Sequence, residues 1–373
     1  MKKKFSLYIH WPFCKAKCSY CDFNSHVSSK PVDETNWQNA LISEMKYFAR
    51  ETMDGRTLKS IFFGGGTPSI MSPEITSALI NAARSIWPSS EDMEISLEAN
   101  PTSIDKKKFK GFSSAGINRL SLGIQSLSDD TLKFLGREHS AREAMQVLEL
   151  AREIFEKISF DIIYSLPRQT TKNWTLELKQ AIELAGGHLS LYQLSIEKGT
   201  DLYKKKVTKM DQETSAHLYE TTCELTSLAG YDHYEISNFA QTGNECIHNL
   251  SIWRGGDYVG IGPGAHGRIT NDKGTHAIYQ IYKPDRWLEQ VKNTGHATAK
   301  RVILSKNERA EEMIMTGLRL NEGIKEQKFI NFLNVPALTR LKKHEYLKTK
   351  KGFIKTTKKG QLCLNSVLYE LLG

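Results

Sequence analysis

The sequence predicts an α/β fold in which parallel strands are joined by helical crossovers. Short apolar runs alternate with segments of helical apolar spacing about six times before residue 212. The composition, 39% hydrophobic and 25% charged, is that of an ordinary globular protein. The length of 373 residues suits one large domain with a smaller one. Such alternation favours right-handed crossovers between parallel strands, but periodicity does not separate an open sheet from a partial barrel.

The spacing of apolar residues and the signals for helix starts predict where the strands and helices lie up to residue 228. Trp37, Leu41 and Met45 recur at helical spacing. Ser72 followed by Pro73 is a helix start, because serine caps the first turn and proline fits its first position. The predicted strands cover 5–9, 60–63, 93–97, 117–122, 158–163 and 189–196. The predicted helices cover 33–50, a segment from 73 onward, 105–115, 129–135, 141–155, 173–185 and 212–228.

After residue 230 the helical period weakens and glycines become frequent. Ser305 and Glu308 form a capping box that predicts a helix to about residue 319. Two strands at 346–350 and 353–356, followed by a helix at 361–372, predict a small winged-helix-like module. The expected domains are therefore a core at 1–235, a glycine-rich connecting segment at 236–290 and a C-terminal domain at 291–373.

Cysteine usage and charge narrow the possible compartments and partners. Three of the six cysteines cluster in one loop and the other three are scattered, which favours a reducing, cytoplasmic location. The N-terminal apolar run is too short for a signal peptide or a membrane span. Most of the net charge of +9 lies between residues 340 and 359, where nine Lys or Arg accompany one Glu. This segment predicts either a solvated face or a surface for an anionic partner, and its scarcity of aromatic residues makes nucleic acid unfavoured.

The cysteine loop CKAKCSYC carries the strongest chemical signal. Cys14, Cys18 and Cys21 follow the first predicted strand at spacings of four and three. Sulfur ligands select iron–sulfur clusters or zinc. Three cysteines would leave one iron of a cubane cluster open to another ligand. The alternatives are a Cys3His zinc site completed by His10 or His26, and a disulfide that would leave one cysteine over.

The string YIHWPFCKAKCSYCDF, from Tyr8 to Phe23, resembles the radical S-adenosylmethionine (SAM) superfamily. Within it, the string is similar to the branch of oxygen-independent coproporphyrinogen dehydrogenases and HemW heme chaperones. The resemblance implies a partial (β/α)6 barrel with a [4Fe-4S] cluster on Cys14, Cys18 and Cys21. It also implies that SAM chelates the fourth iron and is cleaved when the cluster donates one electron.

Glycines and polar strand ends supply the candidate SAM contacts. Gly64 to Thr67 follow a strand, where glycines let the backbone approach a ligand closely, although a tight turn explains them as well. Polar residues at the ends of apolar strands are costly to bury without a ligand or hydrogen bonds. The resemblance implies SAM contacts by Tyr8, Tyr20, Gly65, Gly66, Thr67, Glu98, Gln125, Arg137 and Asp161, with Ser195 as a looser candidate.

Two features separate the members of this branch. In the dehydrogenases a further cysteine stands two residues after the last cluster cysteine, whereas this chain has Phe23. The string HNLSIW, from His248 to Trp253, resembles the HNxxYW motif associated with heme in the chaperones, with Ile252 in place of tyrosine. His248 is the predicted heme ligand, and the alternative is a histidine satisfied in a loop beside a core tryptophan. Cys246 is expected to be an inert buried thiol.

The resemblance favours a heme chaperone that passes heme to an acceptor protein. The acceptor is not identified by the sequence and could be associated with a membrane. The alternative is an enzyme, an oxygen-independent coproporphyrinogen III dehydrogenase, and a weaker third class is a tRNA-modifying radical enzyme suggested by the basic C-terminal segment. Whether the protein is itself an enzyme stays open at this level.

Overall fold

The computed structural model describes residues 4–28, 31–52 and 55–373. Most strands of this part form one sheet of twelve, in the linear order β14-β13-β12-β11-β1-β4-β5-β6-β7-β8-β10-β9. The strands are β1 Lys4–Trp11, β2 Phe13–Cys14, β3 His26–Val27, β4 Thr57–Gly65, β5 Ser89–Ala99, β6 Arg119–Gln125, β7 Lys157–Tyr164, β8 His188–Gln193, β9 Asp232–Glu235, β10 Asn238–Ala240, β11 Asp257–Ile261, β12 His266–Asn271, β13 Gly274–Gln280, β14 Thr298–Leu304, β15 Ile324–Lys325, β16 Leu347–Lys350 and β17 Phe353–Thr356.

Helices connect these strands and cover the outside of the sheet. Ser72 caps α2 by accepting a hydrogen bond from Ile75 N, as its sequence predicts. The helices are α1 Glu34–Thr52, α2 Pro73–Ile86, α3 Lys106–Ala115, α4 Asp129–Leu135, α5 Ala141–Arg152, α6 Thr171–Leu184, α7 Asp201–Lys204, α8 Gln212–Leu228, α9 Ile247–Trp253, α10 Pro284–Thr294, α11 Lys306–Gly317, α12 Glu326–Phe329, α13 Val335–Lys343, α14 Lys358–Leu362 and α15 Leu364–Leu372.

The centre of the sheet confirms the predicted α/β fold. Strands β1, β4, β5, β6, β7 and β8 are parallel neighbours in sequence order, and a helical crossover follows each of the first five. An apolar cluster running from Phe5 to Ala297 fills the space between sheet and helices. The six strands curve around an interior cavity to which each contributes side chains. Because the strand order is linear, the barrel is partial and open.

The segment after residue 230 is more regular than its sequence indicates. It adds β9 and β10 at one edge of the sheet and β11 to β14 at the other. The glycine-rich run at 260–267 spans the end of β11, a turn and the start of β12, and a Cβ on Gly260 would lie 1.8 Å from the His266 carbonyl oxygen. Short strands rich in glycine carry little periodicity, so the pattern alone did not reveal them. The segment around His248, in which the sequence shows little helical period, is helix α9.

The C-terminal part has its own apolar cluster, from Ala310 to Leu371, and the three-stranded sheet β15-β17-β16. The capping box of Ser305 and Glu308 is present at the start of α11. The large sheet continues to Leu304, so residues 257–304 share strands with the core. The division into domains at 235 and 290 stays a prediction.

The basic C-terminal segment forms a lysine-rich face. In the small sheet Lys348 lies opposite Lys355, and Lys350 and Lys325 both lie opposite Phe353. Strand alternation therefore puts these four lysines on the side away from the apolar cluster. Across the described ranges 4–28, 31–52 and 55–373, no helix has the length and apolarity needed to cross a membrane.

Candidate functional site

The carboxyl ends of the parallel strands meet around a cavity of about 290 Å³. Parallel strands end at the same edge of a sheet, so residues far apart in sequence converge there. The residues predicted from the sequence that line this cavity are Cys14, Cys18, Cys21, Tyr20, Gly65, Gly66, Thr67, Glu98, Gln125, Arg137, Asp161 and Ser195. The remaining two, Tyr8 and His248, line a second cavity deeper in the barrel.

The cysteine loop is held by hydrogen bonds to its sulfur atoms. Thr67 Oγ1 donates to Cys14 Sγ at 3.2 Å, and Arg137 Nη1 donates to Cys18 Sγ at 3.1 Å. The guanidinium of Arg137 also donates to the carbonyl oxygen of Gly123 at 2.6 Å, which fixes its orientation at the end of β6. These donors would stabilise thiolates in the same positions, because hydrogen bonds to a charged acceptor are the stronger ones.

The three cysteines supply the sulfur donors that an iron–sulfur cluster requires. Three cysteines of a cubane bind three different irons and therefore stand apart. Within the described residues, no three His, Cys, Asp or Glu side chains converge as one metal ion requires. The two histidines considered for zinc have other partners: His10 bonds to Tyr8 OH and Asn24 O, and His26 bonds to Asn24 Oδ1. The residues present fit a [4Fe-4S] cluster.

The glycines at the end of β4 allow the cysteine loop to pack directly on the sheet. A Cβ on Gly65 would lie 2.7 Å from the His10 ring, and a Cβ on Gly66 would lie 2.7 Å from the carbonyl oxygen of Phe13. Gly65 also has a φ of +117°, which side chains disfavour. The amide groups of this turn therefore line the cavity without intervening side chains, as the methionine half of SAM would require.

Two carboxyl groups face the cavity, Glu98 from β5 and Asp161 from β7, with β6 between these two strands. Burial and the nearby charge of Asp161 raise the pKa of Glu98 to about 8, while Gly65 N donates to Glu98 Oε2 at 3.2 Å. Burial raises the pKa of Asp161 to about 6, opposed by hydrogen bonds from Ser190 and Ser121. Carboxyl groups with raised pKa values in a cavity are typical of ligand-binding sites. A cationic ligand, or one that donates hydrogen bonds, favours the charged form of such a carboxyl.

Gln125 holds a strained backbone conformation at the end of β6. Its φ is +73°, although it is not a glycine, and its side chain is nearly buried at the cavity. A non-glycine residue in this region costs energy that the surrounding structure must offset. Such positions cluster at ligand sites, and the Gln125 amide is placed to donate and accept hydrogen bonds there.

The second cavity, of about 230 Å³, contains the residue predicted to bind heme. His248 lies on α9 and is 2% exposed, stacked on Phe62 with ring centroids 4.9 Å apart. Its backbone N–H donates to Glu94 Oε1 at 3.0 Å, and its Nδ1 lies 3.0 Å from Ser60 Oγ. The Ser60 hydroxyl donates its hydrogen to Ser6 Oγ, so His248 Nδ1 must be the donor to Ser60. Nε2 then carries a lone pair, and burial lowers the pKa of this imidazole to about 3.

The enclosure of His248 does not admit a heme in this conformation. Nε2 of His248 has no hydrogen-bond partner among the described residues and lies beside a small cavity. Pockets for drug-sized ligands span about 300–1,000 Å³, larger than this one. The alternative, a histidine whose hydrogen-bonding groups are all paired, holds for one ring nitrogen only: Nδ1 is hydrogen-bonded to Ser60, and Nε2 has no partner in the described part of the chain.

Sequence reasoning missed a set of inward-facing polar residues in the second cavity. Each of two serines lies two positions before a predicted SAM contact on the same strand and faces the barrel interior. Ser96 precedes Glu98 in this way, and Ser159 precedes Asp161. The period of two could have revealed them. A buried ion pair, Arg119 Nε to Glu94 Oε2 at 2.9 Å, closes the far side of this cavity. Cys246 is buried, as expected, and burial raises the pKa of its thiol.

Comparison with known proteins agrees with this site. The Radical SAM superfamily matches residues 8–179 and the HemN C-terminal domain matches residues 304–363. The heme chaperone HemW of Escherichia coli is 35% identical over 97% of both chains, and that of Haemophilus influenzae is 38% identical over 88% of this chain and 85% of its own. The mitochondrial radical S-adenosyl methionine domain-containing protein 1 of Bos taurus is 41% identical over 88% of this chain and 76% of its own.

A solved structure shares the whole fold. Coproporphyrinogen III oxidase (HemN) of Escherichia coli superposes with a TM-score of 0.84 over 99% of this chain and 90% of its own, at 23% identity. At that identity the likeness establishes the α/β fold and its C-terminal domain, not the activity. The sequence matches to HemW proteins are stronger and span nearly the full length. The chain therefore belongs to the HemW family of the radical SAM superfamily.

Proposed function

We propose that this protein is a heme chaperone, which holds a SAM-ligated [4Fe-4S] cluster, takes up one heme and passes it to an acceptor protein. The observation that carries the proposal is the match to proteins named heme chaperone HemW over nearly the whole of both chains. Phe23 supports it, because this position is a further cysteine in the coproporphyrinogen dehydrogenases.

Residues of the first cavity would hold the cluster and SAM. Cys14, Cys18 and Cys21 would ligate three irons, and the sulfur hydrogen bonds from Thr67 and Arg137 would favour the thiolate forms. When bound, the cluster and SAM supply one-electron chemistry at the sulfonium group.

The polar groups of the cavity would then orient SAM. The glycine turn would face its methionine half, with Glu98 and Arg137 at the amine and carboxylate. Gln125 and Asp161 would contact the adenosine, and Tyr20 would close the cavity from the loop side. Tyr8 lies in the second cavity, so it would act on the site through its hydrogen bond to His10.

Anaerobic spectroscopy tests this function. Reconstituted protein is expected to contain about four irons and four sulfides per chain, and hemin is expected to titrate with a Soret band at a stoichiometry of one. Incubation with coproporphyrinogen III, SAM and reductant is expected to yield no protoporphyrinogen. Absence of a saturable Soret band would remove the chaperone proposal, and formation of protoporphyrinogen would replace it with the enzymatic alternative.

His248 stays a predicted heme ligand, and a hemin titration of His248→Ala is the test of this residue. A cytoplasmic location belongs to the same proposal, because clustered cluster-ligating cysteines and scattered single cysteines are the usage that a reducing compartment favours. The heme acceptor is the remaining partner. An acceptor would be identified if the rate of heme transfer rises with the concentration of an apo-heme protein. Passive dissociation of heme would instead proceed at a rate that does not depend on that concentration.

A further inference from the structure

Helix α9 carries the predicted heme ligand, and a side chain from strand β5 caps its first turn. The carboxylate of Glu94 accepts the backbone N–H of His248 at 3.0 Å and the thiol of Cys246 at 3.5 Å. The first backbone N–H groups of a helix have no partner within the helix, so a group outside it must supply one. Glu94 therefore holds α9 from inside the barrel, at the backbone of the predicted ligand itself.

A buried arginine on β6 joins this cap to the residues that lead into α9. Arg119 Nε donates to Glu94 Oε2 at 2.9 Å. Arg119 Nη2 donates to the carbonyl oxygens of Asn244 at 2.6 Å and Glu245 at 3.0 Å. The side chains of Glu94 and Arg119 are each 2% exposed, so each charge depends on the other for its compensation. One ion pair thus fixes both the approach to α9 and its first turn.

Tyr234 on β9 holds the same segment at a further point. Its hydroxyl oxygen accepts the backbone N–H of Cys246 at 3.3 Å and lies 2.8 Å from Nε2 of His188 on β8. His188 Nδ1 in turn lies 2.6 Å from Ser159 Oγ on β7. Residues 244–248 are therefore bonded to side chains that stand on strands of the large sheet, and the sheet sets their position.

The buried pair is costly for stability and useful for position. Two charges taken out of water lose their hydration, and an apolar pair of similar volume often leaves a fold equally stable or more so. An apolar pair supplies neither an acceptor for His248 N–H nor donors for the carbonyl oxygens before it. Groups that orient a metal ligand typically account for about 10- to 100-fold of the metal affinity.

We propose that Glu94 and Arg119 are positioning residues for heme binding, which hold the backbone of His248 so that its ring keeps the direction in which Nε2 can ligate the iron. Nε2 bears the lone pair that an axial ligand needs, because Nδ1 donates to Ser60 Oγ. Glu94 and Arg119 act through His248 in this role. The inference rests on the proposed heme-chaperone function and deepens it by naming the residues that place the ligand.

Replacing the whole pair tests this role. The double variant Glu94→Leu, Arg119→Met leaves neither charge buried without its partner, so it is expected to melt close to wild type. In hemin titrations of the reconstituted full-length chain, we expect its dissociation constant to rise by about tenfold or more and its Soret band to shift toward that of His248→Ala. In the heme-free chain, amide hydrogen exchange is expected to become faster in residues 244–253, because their anchors are gone.

The buried pair of Arg56 and Asp257 provides the matched control. Arg56 Nη1 lies 2.6 Å from Asp257 Oδ2, and this carboxylate accepts hydrogen bonds from Thr270 rather than from residues 244–248. Asp257→Leu with Arg56→Met is expected to titrate hemin like wild type. An equal loss of affinity in this control would overturn the proposal, because it would show a general effect of removing a buried pair.

Combination with His248→Ala distinguishes positioning from general damage. If the pair acts through His248, adding Glu94→Leu and Arg119→Met to His248→Ala weakens hemin binding no further. An equal loss in both backgrounds, or a wild-type titration by the double variant, overturns the proposal. A His248→Ala chain that titrates like wild type overturns it too and leaves the chaperone function standing, whereas a wild-type chain that binds no hemin removes the chaperone function itself.

Two single changes keep the proposal testable if the double variant does not fold. Glu94→Gln keeps an acceptor for His248 N–H and Glu94→Ala removes it, while both leave Arg119 without its charge partner. We expect Glu94→Gln to bind hemin about tenfold more tightly than Glu94→Ala. Equal dissociation constants would show that the bond to His248 N–H does not position the ligand.

Discussion

At the scale of single residues, the cavity is defined by groups whose protonation depends on their surroundings. Glu98 is the clearest case, since burial and Asp161 raise its pKa to about 8 from 4.5. A carboxyl whose folded pKa is raised stabilises the fold below its unfolded pKa. That stabilisation is lost as the pH rises through the folded pKa.

Glu98→Gln should therefore remove a pH dependence of stability. In the SAM-free protein, we expect the free energy of unfolding of the variant to rise by about 2 kcal/mol relative to wild type between pH 5 and pH 9. This is less than the full pKa shift implies, because the carboxyl faces a cavity. Urea unfolding at several pH values measures this difference. Glu149→Gln, the same change at an exposed position, should show no such trend. If the free energy of unfolding of Glu98→Gln followed the same pH dependence as that of wild type, the raised pKa of Glu98 would not be the cause of that dependence.

At the scale of elements, the site depends on the close approach of the cysteine loop to the turn after β4. Gly65 combines a positive φ with a Cβ position only 2.7 Å from the His10 ring. Gly199 has a similar φ of +98° and open space around the same position. Comparing these two glycines separates the effect of the close contact with His10 from the effect of the positive φ, because Gly199 has only the positive φ.

Gly65→Ala is expected to destabilise the protein by about 3 kcal/mol and to reduce iron incorporation, because the loop must move outward. Gly199→Ala should cost about 1 kcal/mol, the conformational strain alone. Thermal unfolding together with iron and sulfide analysis provides the measurement. Equal losses for the two variants would show that packing against His10 is not what the site requires.

At the scale of the whole molecule, a partly buried charge network joins the C-terminal module to the large sheet. Arg268 on β12 donates to Glu312 on α11 at 2.8 Å, and Arg309 pairs with the same carboxylate. Arg309 also donates to the carbonyl oxygen of Gly255, just before β11. This network positions α11 against β11 and β12.

Glu312→Gln should cost about 2 kcal/mol, because it leaves two arginines partly buried without their charge partner. It should also speed proteolytic cleavage near residue 305, where the module joins the sheet. Glu153→Gln breaks the exposed pair with Lys106 and should leave the free energy of unfolding nearly unchanged. Denaturant unfolding and timed proteolysis distinguish the two. If Glu312→Gln behaved like Glu153→Gln, the network would not be what holds the module.

The sequence by itself determined the features that are local. The alternation of strands and helices, the start of α2 at Ser72, and the thiol chemistry of the cysteine loop all follow from neighbouring residues, because periodicity, capping and ligand spacing act over a few positions. The resemblance to the radical SAM superfamily implied which polar residues would contact SAM, and most of these residues line one cavity. Strands β11 and β12 escaped prediction because they are short and rich in glycine, and because β11 pairs with β1, about 250 residues away in the sequence.

Only the tertiary structure decided where the predicted heme ligand lies. The motif from His248 to Trp253 predicts a heme contact, and α9 packs His248 against Phe62 and Ser60 inside the barrel. The burial and the hydrogen-bond partners of His248 come from residues more than 150 positions away, which no local pattern encodes.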